Sequence, residues 1–216
     1  LLDLIRDFEA TDRSVLGICL GSQLMARAFG GENRLGAASE FGWCRVSLTE
    51  QAAADPVLAG LPREFRIFQW HDDTFTLPEH ATHLATNGVA ANEAFRIGRA
   101  AYGFQFHFEA NRKLVDTWQV DFRDAIAQYH PDWPARYEGE ASTHAPQADA
   151  TGLAVATGIR IAHVVRSVLV TLGGHGSLDD SPAVFLAAGF LAGAFFSVVS
   201  AILGLFLRGG VVGGIR

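Results

Sequence analysis

Two short stretches of this chain carry residue types that could do covalent chemistry. The first is Val15-Leu16-Gly17-Ile18-Cys19-Leu20-Gly21-Ser22-Gln23, an apolar strand pattern running into Gly-x-Cys-x-Gly and then directly into a helical pattern. A nucleophile held on a tight strand-to-helix turn needs small neighbours, and Gly17 and Gly21 supply them. A helix starting just after Cys19 would aim free backbone N–H groups and a partial positive charge at the sulfur, a setting that suits a thiolate. The N–H of Leu20 would then be positioned to donate to an oxyanion. Taken alone, the pattern describes a buried structural cysteine at a strand end about equally well.

The second stretch is Ala101-Tyr102-Gly103-Phe104-Gln105-Phe106-His107-Phe108-Glu109. Strict alternation puts Phe104, Phe106 and Phe108 on one strand face and Gln105, His107 and Glu109 on the other. The phenylalanines anchor the strand, so the polar set projects together. A carboxylate beside an imidazole fixes its tautomer and stabilises the imidazolium formed on proton uptake. A lone His-x-Glu is usually a solvated strand face. Joined to a thiol on a strand-end turn, it completes the Cys-His-acid set that acyl transfer requires.

These residues need a scaffold. Helical spacing is expected over residues 1–9, 21–29, 111–129 and 151–170, and strands over 14–18, 41–48, about 64–71, 95–97 and 101–108. The segment HPDWPARYEGEASTHAPQ, with three prolines, reads as a loop. Strands alternating with helices predict an α/β fold, a three-layer sandwich with a mostly parallel central sheet.

The segments GICLGSQ (17–23), FQWHDDTFTLP (68–78) and AYGFQFHFE (101–109) closely resemble the class I, or triad, glutamine amidotransferases, in particular those related to the amidotransferase domain of GMP synthase. The resemblance runs from about Leu1 to Val165 and implies a flavodoxin-like amidotransferase fold. It also implies that Cys19 attacks the side-chain carboxamide of glutamine, with His107 and Glu109 completing the triad. Leu20 and Gly21 would shape the oxyanion hole and Gln23 would contact the bound glutamine. Ammonia would pass to a synthetase partner that aminates an acceptor. The chain departs from the family at Asp72 of the His71-Asp72-Asp73-Thr74-Phe75 segment and at Phe108. His71 and Asp73, near the family's active-site loop, read equally as a substrate-side pair supporting the site and as a surface turn. The family places several strands and a glycine-rich oxyanion loop before the nucleophile, whereas Cys19 comes early here. The expectation is therefore that the N-terminal strands are missing and turnover is weakened, by about 3 kcal/mol if one oxyanion donor is lost.

Composition narrows the classes further. The 216 residues carry a net charge of -6 and no basic run, which excludes a nucleic-acid surface. Two cysteines are too few for a disulfide scaffold, and Cys44 reads as a buried structural thiol. No phosphate loop or dinucleotide fingerprint occurs, and His80, His83, His130, His144, His163 and His175 lack metal-ligand spacing, so neither cofactor nor metal is expected. The only methionine is Met25, so an upstream part is expected to be absent. The domain plan is an amidotransferase domain over 1–170, a glycine-rich linker over 171–182, an uncharged helix over 183–207 long enough to span a membrane, and a tail over 208–216. This predicts a cytoplasmic catalytic domain contacting or anchored to the membrane through 183–207. Two other readings share these residues: a γ-glutamyl hydrolase or peptidase using the same triad, and a truncated, non-catalytic binding module tethered to a membrane.

Overall fold

The structure, a computed structural model, describes residues 1–172 and, as backbone, 184–188. The chain opens with helix α1 (Leu2–Ala10), strand β1 (Val15–Cys19) and helix α2 (Leu20–Ala28). A two-residue strand, β2 (Asn33–Arg34), leads to β3 (Glu40–Leu48), a 3₁₀ turn (Glu50–Ala54) and β4 (Glu64–His71). Then come β5 (Thr74–Phe75), β6 (Thr82–Thr86), β7 (Ala94–Ile97) and β8 (Ala101–Phe104). Helices α3 (Arg112–Asp121), α4 (Arg123–Tyr129) and α5 (Trp133–Leu172) follow, and β9 (Val184–Ala188) comes last among the described elements.

The main sheet has the order β4-β3-β6-β7-β8-β1-β9, and β2 and β5 form a separate two-stranded ribbon. Apolar residues cover both faces. On one face Ile5 of α1 and Met25, Ala26 and Ala28 of α2 pack with Val15, Phe95 and Ile97. On the other, Val115 and Trp118 of α3, Ile126 of α4 and Trp133, Tyr137, Ala141, Ala145 and Ala148 of α5 pack with Trp43, Phe68 and Phe104. The result is the expected α/β sandwich of helices, sheet and helices.

The sheet is mixed, not mostly parallel. Only β1 pairs in parallel, with β8 and β9; the pairs β3–β4, β3–β6, β6–β7 and β7–β8 are antiparallel. The three residues between β7 and β8 explain one of these, since a parallel pair needs a crossover of a dozen or more residues.

The proline-containing segment expected to be a loop is instead the start of α5. Pro134 lies in the first turn, where a missing N–H costs little. Pro146 lies within the helix on its exposed side. Buried Trp133, Tyr137, Ala141, Ala145 and Ala148 recur every three or four residues and seat this helix on the sheet. Gly42 lets Trp133 approach: it has φ +99°, and a Cβ there would sit 2.7 Å from the indole. The helix expected over 111–129 breaks at Phe122 into α3 and α4.

The apolar tail needs a correction as well. Val184–Ala188, expected within a membrane-spanning helix, form a strand in register with Val15–Cys19. The edge of β1 not bonded to β8 would otherwise carry bare backbone N–H and C=O groups, and these five residues satisfy it. Residues 173–183 and 189–216, with the rest of the expected linker, span and tail, lie outside the described residues. Among the described residues, no helix is long and apolar enough to cross a membrane.

Candidate active site

Cys19 is the last residue of β1 and the residue before α2, with φ +52° and ψ -112°. A positive φ at a non-glycine residue costs on the order of 1–3 kcal/mol, so the surroundings must impose it. They do so through contact between strand and helix: a Cβ on Gly17 would lie 2.5 Å from the Gly21 carbonyl oxygen and 2.8 Å from Met25 Sδ. Ser22 Oγ donates to the Cys19 carbonyl at 2.7 Å, bracing the turn. The first N–H groups of α2, at Leu20 and Gly21, lie where helical geometry leaves them without intrahelical partners.

The sulfur touches two other segments. Cys19 Sγ donates to the Trp70 carbonyl in β4 at 3.7 Å and accepts from Gln105 Nε2 at 3.8 Å. Both cysteines are free thiols.

The strand predicted to run to Phe108 ends at Phe104, yet the alternation of side chains survives beyond it. Phe106 and Phe108 both pack against Phe104, with ring centroids 5.3 and 5.2 Å away. His107 N–H donates to the Phe68 carbonyl at 2.9 Å, so the histidine is held against the same strand whose Trp70 carbonyl takes the Cys19 thiol. Its Nδ1 lies 2.7 Å from Glu109 Oε1, and its ring stands edge-on to Trp118. That leaves the other ring nitrogen for Cys19, whose sulfur acts on the imidazole by charge and hydrogen bond.

Burial drives the His107 pKa down, while the Glu109 carboxylate and the Cys19 sulfur drive it up; the net result is a rise to about 10. The imidazolium is thus the favoured form at neutral pH. Glu109 Oε2 is buried with no hydrogen-bond partner among the described residues.

The remaining residues singled out from sequence converge behind the thiol. Gln23 is buried; its Nε2 donates to Gln105 Oε1 at 3.3 Å and to the Asp73 carbonyl at 3.4 Å. His71 Nδ1 donates to that same carbonyl at 3.0 Å. The Asp73 carboxylate turns away and accepts from Gly36 N–H at 2.8 Å. The link from Asp73 to the site is therefore its backbone.

Glu40, Gln69, Asn87 and Glu93 join the neighbourhood, and the sequence pointed to none of them. Burial opposes a charge on Glu40, but hydrogen bonds from His71, Asn87 and Glu93 overcome this and hold its pKa low. Burial pushes Glu93 well above the carboxylate range. Cys44 is pushed up to about 12 by burial and by the nearby Glu40 charge, so it stays a thiol.

Comparisons with known proteins agree with this geometry. The family model described as glutamine amidotransferase class-I matches residues 1–118. A glutamine amidotransferase-like protein of Salmonella typhimurium is 33% identical over 126 residues, 56% of this chain and 53% of that protein. The glutamine-hydrolysing subunit of GMP synthase from Natronomonas pharaonis is 37% identical over 119 residues, 54% of this chain and 64% of that protein. The chain thus spans between about half and two thirds of these relatives. A crystal structure of a glutamine amidotransferase from Thermotoga maritima superposes with a TM-score of 0.63 at 28% identity, covering 73% of this chain and 67% of that one. With the family model matching more than half of its length, the chain belongs to the class-I glutamine amidotransferases.

Proposed function

We propose that this chain hydrolyses the side-chain amide of glutamine and delivers the ammonia to a synthetase partner that aminates an acceptor. The observation that carries the reading is Cys19 in a left-handed backbone conformation at a strand-to-helix turn, coupled to a His107 whose Nδ1 is held by Glu109.

The Cys19 thiolate adds to the carboxamide carbon, forming a C–S bond and an oxyanion that the N–H of Leu20, with Gly21 beside it, stabilises. As the oxyanion collapses, the C–N bond breaks and His107 gives its proton to the departing nitrogen, which leaves as ammonia. Water then attacks the glutamyl thioester while His107 takes up a proton, and glutamate departs as the thiolate is restored. Glu109 keeps the imidazole oriented and balances its charge. Gln105 donates to the sulfur, and Gln23 holds Gln105 and the Asp73 carbonyl in place, with His71 and Asp73 supporting the site from behind. Relatives named as glutamine-hydrolysing parts of GMP synthase support both the amide substrate and the synthetase partner.

The test is ammonia release from glutamine, together with the intact mass after exposure to an electrophilic glutamine analogue. The expected result is one adduct on Cys19, and both signals lost in Cys19→Ala. A folded chain that releases no ammonia and takes no label would overturn the reading. Faster cleavage of γ-glutamyl peptides than of glutamine would replace it with peptidase chemistry on the same residues.

A further inference from the structure

Two carboxylates and an imidazole with no assigned step in the proposed chemistry meet inside the fold, each from a segment distant in sequence. Glu40 begins β3 and His71 ends β4, directly opposite each other across the antiparallel pair; Glu93 immediately precedes β7. All three are buried, Glu93 fully. One donor atom from each lies within 4.8 Å of the other two.

The imidazole is oriented as a ligand would be. His71 Nδ1 lies 3.0 Å from the Asp73 carbonyl, which can only accept, so Nδ1 carries the hydrogen and the Nε2 lone pair is left free. Nε2 is buried without a hydrogen-bond partner among the described residues and stands 3.5 Å from Glu40 Oε2. That separation is long for an N–H···O bond. It suits two ligands sharing one ion, which at bond lengths of ~2.1 Å and a tetrahedral angle stand ~3.4 Å apart.

A second observation is independent of the acidic pair. Gln69 Oε1, on a fully buried side chain, also has no partner among the described residues, while its Nε2 donates to Glu93 Oε2 at 2.7 Å. Asn87 Nδ2 lies 2.8 Å from both Glu40 oxygens and from Glu93 Oε1. Carboxylates held from behind by amide donors, and a histidine held by a backbone carbonyl, form the outer support that metal ligands require.

We propose that Glu40, His71 and Glu93 bind one divalent transition-metal ion, with Gln69 Oε1 as a fourth donor. One imidazole with carboxylate and amide oxygens suits Zn²⁺, Mn²⁺ or Fe²⁺. The ion ties the β3–β4 pair to the segment before β7. The Glu93 carbonyl there accepts from Gln105 N–H at 2.8 Å, so the site also buttresses the glutamine that contacts Cys19. The proposal does not depend on glutamine being the substrate.

To test it, the full chain is stripped with a chelator, returned to metal-free buffer and titrated with Zn²⁺, Mn²⁺ or Co²⁺. We expect about one ion per chain to survive gel filtration, and the melting temperature to rise by about 5 °C or more at a hundredfold excess over Kd. Glu93→Gln, which keeps shape and hydrogen-bonding capacity, and His71→Ala should each weaken binding at least tenfold. Cys19→Ala should leave it unchanged, which separates this site from zinc captured by the reactive thiol. Should His71→Ala fail to fold, Glu93→Gln with a native circular dichroism spectrum carries the comparison. The proposal fails if the wild-type chain retains no ion and shows no thermal shift with any of the three metals. It also fails if Glu93→Gln binds as tightly as wild type, or if Cys19→Ala abolishes binding.

Discussion

Replacing Glu109 with glutamine removes one charge while leaving the side chain's size and an oxygen acceptor in place. In the wild-type chain the carboxylate lies 2.7 Å from His107 Nδ1. At an effective dielectric of about 20, two unit charges at that distance attract by roughly 6 kcal/mol. The neutral amide keeps a hydrogen bond, so about half of that, roughly 3 kcal/mol or about two pKa units, is the reasonable loss. The His107 pKa, raised to about 10 against the lowering effect of burial, should then fall towards neutrality. His107 must be protonated to release ammonia, so the basic limb of the pH–rate profile should move from near 10 to about 8 or below. The glutamine amide can also turn its NH₂ towards Nδ1 and favour the wrong tautomer, so kcat/KM at pH 7.5 should drop by about 10²–10⁴. The assay is steady-state ammonia release across pH 5–10.5, with the circular dichroism spectrum as a check on folding. A variant within about fivefold of wild type, with an unmoved basic limb, would refute the claim that the Glu109 charge holds His107 protonated.

Three further outcomes follow from the same structure. Gly17→Ala drives a methyl group into the Gly21 carbonyl and Met25 Sδ; it should destabilise the fold by about 1–3 kcal/mol in urea unfolding and reduce Cys19 labelling. Pro146→Ala, on the exposed side of α5, restores a helical N–H and should raise stability by about 1–3 kcal/mol; a lowered melting temperature would contradict it. Because the His107 pKa rises from 6.5 to about 10 on folding, its stabilisation is fully present below pH 6.5 and is lost as pH climbs through about 10. Urea midpoints at pH 6, 8 and 10 should show a decline that Glu109→Gln flattens.

How much of this was legible beforehand depends on the range over which each interaction acts. Cys19, Leu20 and Gly21 lie in one turn, and His107 and Glu109 two residues apart, so the spacing of side chains along the chain already brings the reacting groups together. Where the reading failed, packing outweighed a local signal. Pro131, Pro134 and Pro146 marked a loop, but Trp133, Tyr137 and three alanines bury against β3 and β4, and that burial outlasts one missing N–H. The apolar run after residue 183 carried the composition of a membrane span, yet its first residues complete the backbone pairing of β1, a demand no local pattern records. The same reasoning accounts for the buried cluster. Glu40, His71 and Glu93 are separated by 31 and 22 positions, read directly from their numbers, and no motif spacing joins them. Only the β3–β4 register and the approach of the segment before β7 make them neighbours. A site assembled by sheet register can therefore hold chemistry that a reading of motifs will pass over, even when it supports the glutamine that touches the nucleophile.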